Sequence, residues 1–498
     1  MVKNTIKFSI PLFLMFPSLV VAQSVEGMPK QALVTKDLQQ AQQKVTDSSK
    51  YQADPHFNSI EEGNRLSSKQ LLKKTLSAQS LQSVKVDAKI LLSHPKLLKR
   101  AMLSVVVTKQ IAGIQAILPI YQQIKDKDLG LELYAKGLLA YSEGNYKQAI
   151  DFYRQLISLH PEYSNARLDL AMALYADHQF KAAKHQFLLL QSESLPANIA
   201  NNIQRALEHI SHQDNWRFNV NFYYLQDNNI NNAPKKSEIK FANGTLILPK
   251  AEKAHGYHLG LTASKRVNFF NHFYSKLNLA GNGDMYWDNH AYDDVNLRIG
   301  NGFGYQNSTL QIEIEPFFKK RIYGTKSYSH TAGANGFIHY QLTPQWRLSQ
   351  NWEWSYEHFN VRKFLNGQRR YLGLSALYVR NTRQYFNAGI NYYVNKAQDE
   401  DEIYQRPGLY IGWGQEWPKG FSSYAQISMA KRHYKEQDYF GIKRKDKEYS
   451  GYLALWNRAW HWKGITPRLI FKWNKTQSNH FLYEKENSKI NIEFSKVF

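Results

Sequence analysis

The gaps between the β-type segments of this chain alternate in length, and this rhythm constrains the fold more than any other feature. Roughly the last 280 residues contain about fourteen such segments. The long gaps are residues 226–256, 283–294, 319–329, 358–370, 395–407, 433–447 and 475–488. The short gaps are residues 267–272, 306–308, 341–345, 381–384, 417–422 and 458–466. A soluble sandwich has no reason to sort its connections by length, whereas an up-and-down outer-membrane barrel has tight turns at one end and longer loops at the other.

Apolar and polar side chains alternate within these segments, most clearly from Trp346 to Tyr356. One face carries Trp346, Leu348, Trp352, Trp354 and Tyr356, with Gln350 as the exception, and the other carries Arg347, Ser349, Asn351, Glu353 and Ser355. Lipid outside and water inside demand this pattern, although a soluble antiparallel sheet gives it too. We favour the membrane because Trp and Tyr crowd the segment ends, as in the aromatic girdles of transmembrane barrels. The girdle candidates are Trp413, Trp417, Trp456, Trp460, Trp462, Tyr392 and Tyr393.

A sheet in lipid must close into a barrel, because an open edge would leave backbone groups unsatisfied. The first predicted strand runs from Arg217 to Leu225 and the last from Lys489 to Phe498, and these four residues bound the closing seam. The sequence therefore predicts a 14-stranded antiparallel transmembrane β-barrel over residues 214–498. Because the strand number is even, the preceding domain lies on the same side as the C-terminal end. That side is predicted to be the periplasm, with the seven long gaps outside the cell.

The first 22 residues have the pattern of a secretory signal peptide. Two lysines supply a positive start, residues 8–21 are apolar, and Ala22 fits the small-residue position before a cleavage site. A transmembrane anchor is the alternative, but the apolar run is short and contains Pro11 and Pro17. No later stretch offers 18 consecutive apolar residues, so we expect no transmembrane helix.

The chain contains no cysteine, which excludes disulfides, thiol catalysis and cysteine-bound metal. Its net charge is +23, or +21 without the two lysines of the predicted signal peptide. Positive charge suits nucleic acid, anionic lipid headgroups or an acidic cargo. We favour the simpler interpretation that Lys and Arg line wet loops and a wet lumen, and we expect no nucleic-acid partner. Residues 23–85 are rich in Gln, Ser and Lys and are predicted to form a flexible polar arm.

Residues 131–195 contain an internal repeat with a period of 34, which is the period of tetratricopeptide (TPR) repeats. Five positions agree in residue type: Gly137 with Ala171, Tyr141 with Tyr175, Tyr146 with Phe180, Ala149 with Ala183, and Tyr153 with Phe187. Two repeats are too few to stand alone, so residues 86–123 and 198–210 are expected to cap the stack. The sequence thus predicts a TPR-like α-helical domain over residues 86–213, with a generic pair of helical hairpins as the alternative.

The predicted repeats supply a candidate binding groove. By resemblance to other TPR arrays, the first helix of each unit lines a concave face, and such faces bind peptides or partner segments. The candidate groove residues are Tyr134, Leu138, Tyr141, Leu168, Met172 and Tyr175. The alternative is that several of them are ordinary core residues.

No pattern typical of an enzyme is found in the sequence. Gly300, Gly302 and Gly304 superficially suggest a phosphate loop, but they alternate within a strand with no helix after it. We expect them to thin the barrel wall instead. Residues 399–402 are acidic but lack the spacing of an EF-hand loop, so a solvated tip is expected there. We therefore predict no catalytic residue, no metal site and no cofactor.

Three segments of the chain resemble a single protein family. They are residues 221–233 (NFYYLQDNNINNA), residues 412–423 (GWGQEWPKGFSS) and residues 456–498. The specific features of the last segment are Asn457-Arg458, Lys463-Gly464, Thr466-Pro467-Arg468-Leu469, Ser478-Asn479 and Phe498. Together with the paired repeats, these segments resemble the surface lipoprotein assembly modulator (Slam) family over about residues 86–498. The resemblance implies a periplasmic TPR domain fused to a fourteen-stranded outer-membrane barrel, with no catalytic residues.

The resemblance also implies a function. Members of that family move specific client proteins across the outer membrane, either surface lipoproteins or secreted proteins that capture iron or haem. The expected partners are such a client, the outer-membrane lipid bilayer, periplasmic chaperones and the barrel-assembly machinery. A polysaccharide exporter or porin-like channel is the main alternative, but those exporters carry many more repeats. An adhesin that acts through its long loops would leave the helical domain without a role.

Overall fold

The computed structural model describes residues 88–192, 195, 197–234, 238–241, 244–457, 459–460, 462 and 465–497. In this part of the chain, eight α-helices precede a long run of β-strands. The predicted signal peptide (1–22) and polar arm (23–85) lie outside the described residues. The same is true of three positions in the C-terminal family segment and of the last residue: Arg458, Lys463, Gly464 and Phe498.

The helices are α1 (Ala88–Ser93), α2 (Pro95–Val107), α3 (Ile111–Tyr121), α4 (Leu129–Ser142), α5 (Tyr146–Leu159), α6 (Ser164–Ala176), α7 (Phe180–Gln191) and α8 (Ala197–Gln213). Capping residues fix both helices of the first repeat. The side chain of Asp128 accepts a hydrogen bond from the N–H of Leu131 at 3.1 Å, and that of Asn145 accepts one from Gln148 at 3.4 Å. Gly144 between the helices has φ +80°, a conformation that favours glycine. The chain therefore turns sharply from α4 into α5.

The helix pairs α4–α5 and α6–α7 form two TPR units, and the predicted 34-residue repeat is confirmed. Small residues allow the helices to approach closely. A Cβ atom on Gly137 would lie 2.4 Å from the ring of Tyr153. Ala149 and its repeat partner Ala183 are completely buried.

Equivalent aromatic pairs recur in the two units. The rings of Tyr141 and Tyr146 lie 5.3 Å apart, and those of Tyr175 and Phe180 lie 5.8 Å apart. Both pairs meet edge to face, which is the favourable orientation for aromatic rings. The repeated sequence positions therefore make the same packing contact twice.

Further helices cover both ends of the repeats. Met102 of α2 and Ile114 of α3 are buried in one cluster with Leu138 of α4. At the other end, Ile203 and Ile210 of α8 belong to the core of the second repeat. These helices bury apolar surfaces that two repeats alone would expose to water. Among the described residues, no helix is both long enough and apolar enough to cross a membrane.

The strands are β1 (Trp216–Asp227), β2 (Glu238–Phe241), β3 (Gly244–Ile247), β4 (Ala254–Phe270), β5 (Phe273–Tyr286), β6 (Asp294–Gln306), β7 (Leu310–Tyr323), β8 (Lys326–Gln341), β9 (Trp346–Phe359), β10 (Gly367–Asn381), β11 (Gln384–Ala397), β12 (Tyr404–Glu416), β13 (Phe421–Gln437), β14 (Lys443–Asn457), β15 (Thr466–Ser478) and β16 (Lys485–Val497). β1 and β4–β16 form a closed antiparallel barrel of 14 strands, which confirms the predicted fold class. β2 and β3 form a separate hairpin within the first long connection, which the sequence did not predict.

The connections sort by length as predicted, with two exceptions. The gap predicted to be short between β14 and β15 spans residues 458–465, which is longer than every predicted long connection except the first. The expected long gap at residues 319–329 is wrong, because β7 ends at Tyr323 and β8 begins at Lys326. Only Gly324 and Thr325 lie between them, with φ values of +54° and +67°. Positive φ at both central residues matches the twist of a tight β-hairpin. The polar residues that suggested a loop therefore extend the two strands.

The outer face of the barrel is apolar and the inner face is polar. On β9, Trp354 and Tyr356 are 53% and 49% exposed, whereas Ser355 and Glu357 are 1% and 0% exposed. Alternate residues of a strand point to opposite faces. The exposed aromatic face is therefore the lipid side, and the buried polar face lines the lumen.

Two of the predicted girdle aromatics belong to the inner face instead. Tyr392 is 42% exposed, so the next residue, Tyr393, points inwards, and its ring lies 5.8 Å from that of Tyr404. Trp456 packs against the inner cluster that contains Tyr424. The girdle prediction is wrong for Tyr393 and Trp456, because the two-residue period of a strand sends neighbouring side chains to opposite faces.

Candidate functional site

The structure places the six candidate groove residues on two adjacent helices, α4 and α6. Leu138 is 4% exposed and belongs to the core beneath the capping helices. The other five are half-buried and pack along the edge of the repeat core: Tyr134, Tyr141, Leu168, Met172 and Tyr175. These five side chains therefore pack against the core on one side and remain partly exposed on the other, whereas Leu138 belongs to the core itself.

Polar partners hold two of the groove tyrosines in place. The hydroxyl of Tyr134 donates to Oδ2 of Asp169 at 2.8 Å, and Nζ of Lys109 donates to Oδ1 of the same carboxylate at 2.5 Å. The hydroxyl of Tyr175 lies 2.8 Å from Nδ1 of His209. Burial raises the pKa of Tyr134 and of Tyr175, so both stay protonated. Both tyrosine side chains are therefore held in place at their hydroxyl groups and are only partly buried.

The helical domain contacts the short-turn end of the barrel. Nε2 of His272, in the β4–β5 turn, lies 2.8 Å from Oδ2 of Asp177 in the α6–α7 turn. Asn268 near the end of β4 donates to Asp214, just before β1, at 2.9 Å. The first contact joins residues that are 95 positions apart in the sequence, and the second joins residues that are 54 positions apart. They therefore anchor the repeats beside the barrel opening at which the chain enters β1.

His178 lies next to this junction in the α6–α7 turn, with φ +61°. Burial and the guanidinium of Arg266 lower the pKa of His178 from 6.5 to about 4. The imidazole is therefore neutral at pH 7 and adds no charge beside Arg266. Its ring meets that of Phe180 edge to face at 5.3 Å, so it packs as an aromatic group of the helical domain.

Buried ion pairs occupy the lumen near the opposite end of the barrel. Glu448 is 5% exposed and accepts a hydrogen bond from Arg406 at 2.6 Å. The guanidinium of Arg432 lies 2.8 Å from the same carboxylate. Asp294 accepts two hydrogen bonds from Arg321, at 2.8 and 3.0 Å. A buried charge is costly unless it is paired, and these carboxylates and guanidinium groups pair with each other inside the barrel.

The ion-pair layer continues into the last two long connections. Arg444 donates to Asp446 at 3.0 Å, and its guanidinium lies 3.3 Å from the centre of the Tyr483 ring. His480 is completely buried in the last connection, and burial lowers its pKa. Its Nε2 lies 2.7 Å from Oδ2 of Asp438 in the preceding long connection. The contact between His480 and Asp438 therefore joins the two connections, and the contact between Arg444 and Tyr483 joins the last connection to β14.

The three alternating glycines of β6 have a packing role. Gly300, Gly302 and Gly304 face side chains from neighbouring strands. A Cβ atom on Gly302 would lie 2.8 Å from Glu313, and one on Gly304 would lie 2.3 Å from the ring of Tyr274. The hydroxyl of Tyr274 donates to Glu313 at 2.7 Å. The missing side chains of β6 therefore leave room for this buried hydrogen bond.

The two strands predicted to form the seam do close the barrel, because β16 pairs with β1. Leu225 is 3% exposed. Arg217 lies at the end nearest the helices and donates a hydrogen bond to the last residue of α8 at 2.5 Å. Lys489 lies nearer the long connections, where it contacts the carboxylate of Asp227. Phe498 lies outside the described residues.

The family of the chain follows from comparison with known proteins. Residues 216–498, which begin at the first residue of β1, match the family model described as surface lipoprotein assembly modifier. The chain belongs to the surface lipoprotein assembly modifier family. Residues 84–187 match a second model, described as the N-terminal TPR repeats of the surface lipoprotein assembly modifier. The resemblance stated from the sequence is therefore confirmed for both parts of the chain.

Individual relatives align with most of the chain. Surface lipoprotein assembly modifier 1 of Haemophilus influenzae is 32% identical over 455 residues, which cover 89% of this chain and 94% of the relative. Surface lipoprotein assembly modifier 1 of Neisseria meningitidis is 34% identical, with 83% and 86% covered. The hemophilin secretion modulator of Acinetobacter baumannii is 22% identical, with 80% and 86% covered.

Two features of this chain were not predicted from the sequence. The first is the buried ion-pair layer around Glu448, and the second is the contact between His272 and Asp177. The alternation of β13 and β14 could have assigned Arg432 and Asp446 to the inner face. The partner of each charge depends on the register between strands, which the sequence pattern does not specify.

Proposed function

We propose that this protein is an outer-membrane translocator that delivers specific client proteins to the cell surface or the medium. The clients are surface lipoproteins or secreted proteins that acquire haem or iron. The observation that carries the proposal is the family match, which extends over both the repeats and the barrel. Relatives named for surface lipoprotein assembly and for hemophilin secretion align over at least 80% of this chain. Such breadth supports one shared task for the two domains.

The helical domain lies in the periplasm in this proposal, and the long connections face outside. An even number of strands returns the chain to the side from which it entered. The contact between His272 and Asp177 is at the end of the barrel that carries the short turns. Short periplasmic turns and longer external loops are the rule for bacterial outer-membrane barrels, which supports this orientation.

The groove of α4 and α6 receives the client before transfer. Its half-buried Tyr134, Tyr141, Leu168, Met172 and Tyr175 offer an apolar surface on one side of the repeats. Periplasmic chaperones would keep the client unfolded until it reaches this surface, and the barrel-assembly machinery would insert the barrel itself. No nucleotide is available in the periplasm, so transfer is driven by client folding outside the cell and by differences in binding between the two sides.

The proposal is tested by surface proteomics of a deletion strain and its complemented parent, with intact cells and culture medium analysed separately. We expect one or two proteins to disappear from the surface or medium and to accumulate in the periplasm. An unchanged surface and secretome, together with altered capsule or solute permeability, would refute the translocator and favour an exporter.

The groove is tested by a charge introduced at its centre. Met172→Glu places a carboxylate among the groove tyrosines, where an apolar client segment would have to desolvate it. We expect delivery of the client to fall at least fivefold while the barrel still assembles. Leu188→Glu is the matched control, because Leu188 is 49% exposed on α7 and is not among the groove residues. Equal delivery by the two variants would refute the groove assignment.

A further inference from the structure

β1 and β16 meet at the closing seam of the barrel, but their backbones pair along only part of it. We call the paired part the ladder. Among the residues that the structure describes, the ladder ends where Tyr223 pairs with Glu493. Residues 224–227 of β1 continue to pair with β4 on their other side. Residues 489–492 of β16 likewise continue to pair with β15. The two backbones therefore part over the half of the seam nearer the long connections, although each strand remains in the sheet.

Side chains bridge the half of the seam that lacks the ladder. The carboxylate of Asp227 contacts Nζ of Lys489 and accepts a hydrogen bond from Asn487 at 3.3 Å. Nζ of Lys485 lies 3.3 Å from Oδ1 of Asn232 in the first long connection. Such polar contacts can exchange with water one at a time, whereas a ladder within lipid cannot open without leaving backbone groups unsatisfied. We call these side-chain bridges the seam latch.

The seam latch lies at the level of an aromatic girdle. The unpaired half of the seam begins at Tyr224, which is 47% exposed and whose ring lies 5.8 Å from that of Trp287. The ring of Tyr257 lies 6.4 Å from the same tryptophan. Aromatic clusters of this kind mark the boundary between hydrocarbon and headgroups. Backbone groups at that level lie near the headgroups, so an incomplete ladder costs less there than it would in the middle of the membrane.

We infer that the seam of this barrel opens from its long-connection side, with Asp227 and Lys489 as the latch and the ladder up to Tyr223 as the fixed hinge. Opening presents two unpaired strand edges, at residues 224–227 and 489–492. An extended segment of the client pairs with these edges by β-augmentation as it emerges. The client's part in this inference rests on the proposed function, whereas the opening is a property of the barrel alone.

The opening is tested first without any client. Hydrogen exchange of the purified full-length protein in lipid nanodiscs is measured for the amides that point across the seam. We expect amides at residues 224–227 and 489–492 to exchange at least 100-fold faster than those at residues 219–223. Equal protection of the two halves would overturn the inference, whatever the protein exports.

The latch is tested by the same exchange measurement on two variants. Asp227→Asn removes the negative charge that holds Lys489 and should speed exchange in the unpaired half at least threefold. Asp288→Asn is the control, because Asp288 lies in another long connection and its carboxylate contacts His255. A latch variant that exchanges no faster than the control would contradict the role of Asp227.

The path of the client is tested by reversible cross-links, for which the cysteine-free chain gives no background. Leu225→Cys with Asn491→Cys locks the unpaired half, because extension of the ladder register places these residues opposite each other. Asn221→Cys with Ser495→Cys locks the laddered half. We expect the first lock to reduce surface delivery at least tenfold until reductant is added, and the second to leave delivery within twofold of its reduced form.

The outcomes of this experiment separate the seam from the function itself. Delivery that persists when the first lock is fully oxidised would overturn seam opening but leave translocation intact. Loss of delivery with the second lock alone would show that the hinge is misplaced. If the unmodified protein exports no client, the proposed function fails, and the hydrogen-exchange result still decides whether the seam opens.

Discussion

Nε2 of His272 and Oδ2 of Asp177 lie 2.8 Å apart, and this contact joins the first short turn of the barrel to the turn between the two helices of the second repeat. Asp177 is 6% exposed and also accepts a hydrogen bond from Gln179 at 3.1 Å. This contact helps to hold the second repeat beside the short-turn end of the barrel.

Asp177→Ala should loosen the helical domain from the barrel without unfolding either. Loss of a hydrogen bond to a charged group costs about 1.5–3 kcal/mol, which corresponds to roughly a tenfold or greater rise in the open population. We expect limited proteolysis between α8 and β1 to accelerate about tenfold. Asp151→Ala, at an exposed position on α5, is the control. Identical cleavage rates for the two variants would show that the contact does not restrain the domain.

Acidification should destabilise the helical domain through His178. Its pKa is about 4 in the folded protein and 6.5 as a free side chain, because burial and Arg266 oppose its protonation. The unfolded chain therefore binds the extra proton first. Stability from this residue is complete above pH 6.5 and is lost as the pH falls towards 4, by about 1.4 kcal/mol per pH unit.

The measurement is the thermal transition of the helical circular-dichroism signal at pH 7 and at pH 5. His178→Asn retains a side chain that tolerates positive φ and removes the titrating group. We expect the variant to lose most of the difference in melting temperature between the two pH values. A difference as large as that of the unmodified protein would assign the pH dependence to other groups.

A second acid transition should come from Glu132, at lower pH. Burial alone would raise its pKa, but hydrogen bonds from Lys136, Gln122 and Lys127 outweigh burial and lower the pKa from 4.5 to about 2. The carboxylate therefore stabilises the fold above pH 4.5, and this contribution is lost as the pH falls through about 2. Glu132→Gln should flatten the melting temperature between pH 5 and pH 3.

The exposed Glu143 offers a control for this experiment, since it follows α4 at the end of the same helix. Glu143→Gln should retain the full loss of stability between pH 5 and pH 3. If both variants behave alike, the three partners of Glu132 do not set its titration.

Glu448→Ala should destabilise the barrel strongly. Arg406 and Arg432 would be left close together in the lumen without their shared carboxylate, and breaking a buried ion pair costs about 3–5 kcal/mol. The control is Glu400→Ala, whose partner Lys435 lies 2.9 Å away at an exposed site and whose loss should cost less than about 1 kcal/mol. The temperature at which the folded barrel unfolds in detergent gel electrophoresis measures both. Equal temperatures would mean that the lumen charges are hydrated.

Gly304→Val should disturb the lumen because its added atoms would meet the ring of Tyr274. Overpacking of this kind costs about 1–3 kcal/mol and would separate Tyr274 from Glu313. At Gly451, the nearest atom to an added Cβ is 3.6 Å away in Trp473, so Gly451→Val is the matched control. We expect only the first variant to unfold at a lower temperature in the same gel assay. A stable Gly304→Val barrel would show that Tyr274 can move at little cost.

The sequence alone determined the architecture of this protein, because each domain has a regular period in its sequence. A period of 34 fixed the two TPR units, and a period of two fixed which side chains face lipid. The same rules failed only locally. Tyr393 and Trp456 were assigned by residue type against the strand period, and the two-residue turn at Gly324 was hidden by polar strand ends.

The tertiary structure alone decided which residues meet. His272 and Asp177 are 95 residues apart, and Asp227 and Lys489 are 262 apart. The place where the seam ladder stops also depends on the closing register of β1 and β16. A local period specifies the face of each side chain but carries no information on its partner across the fold. Closure of the barrel and stacking of the helices decide the partner, because they bring residues that are distant in the sequence next to each other in space.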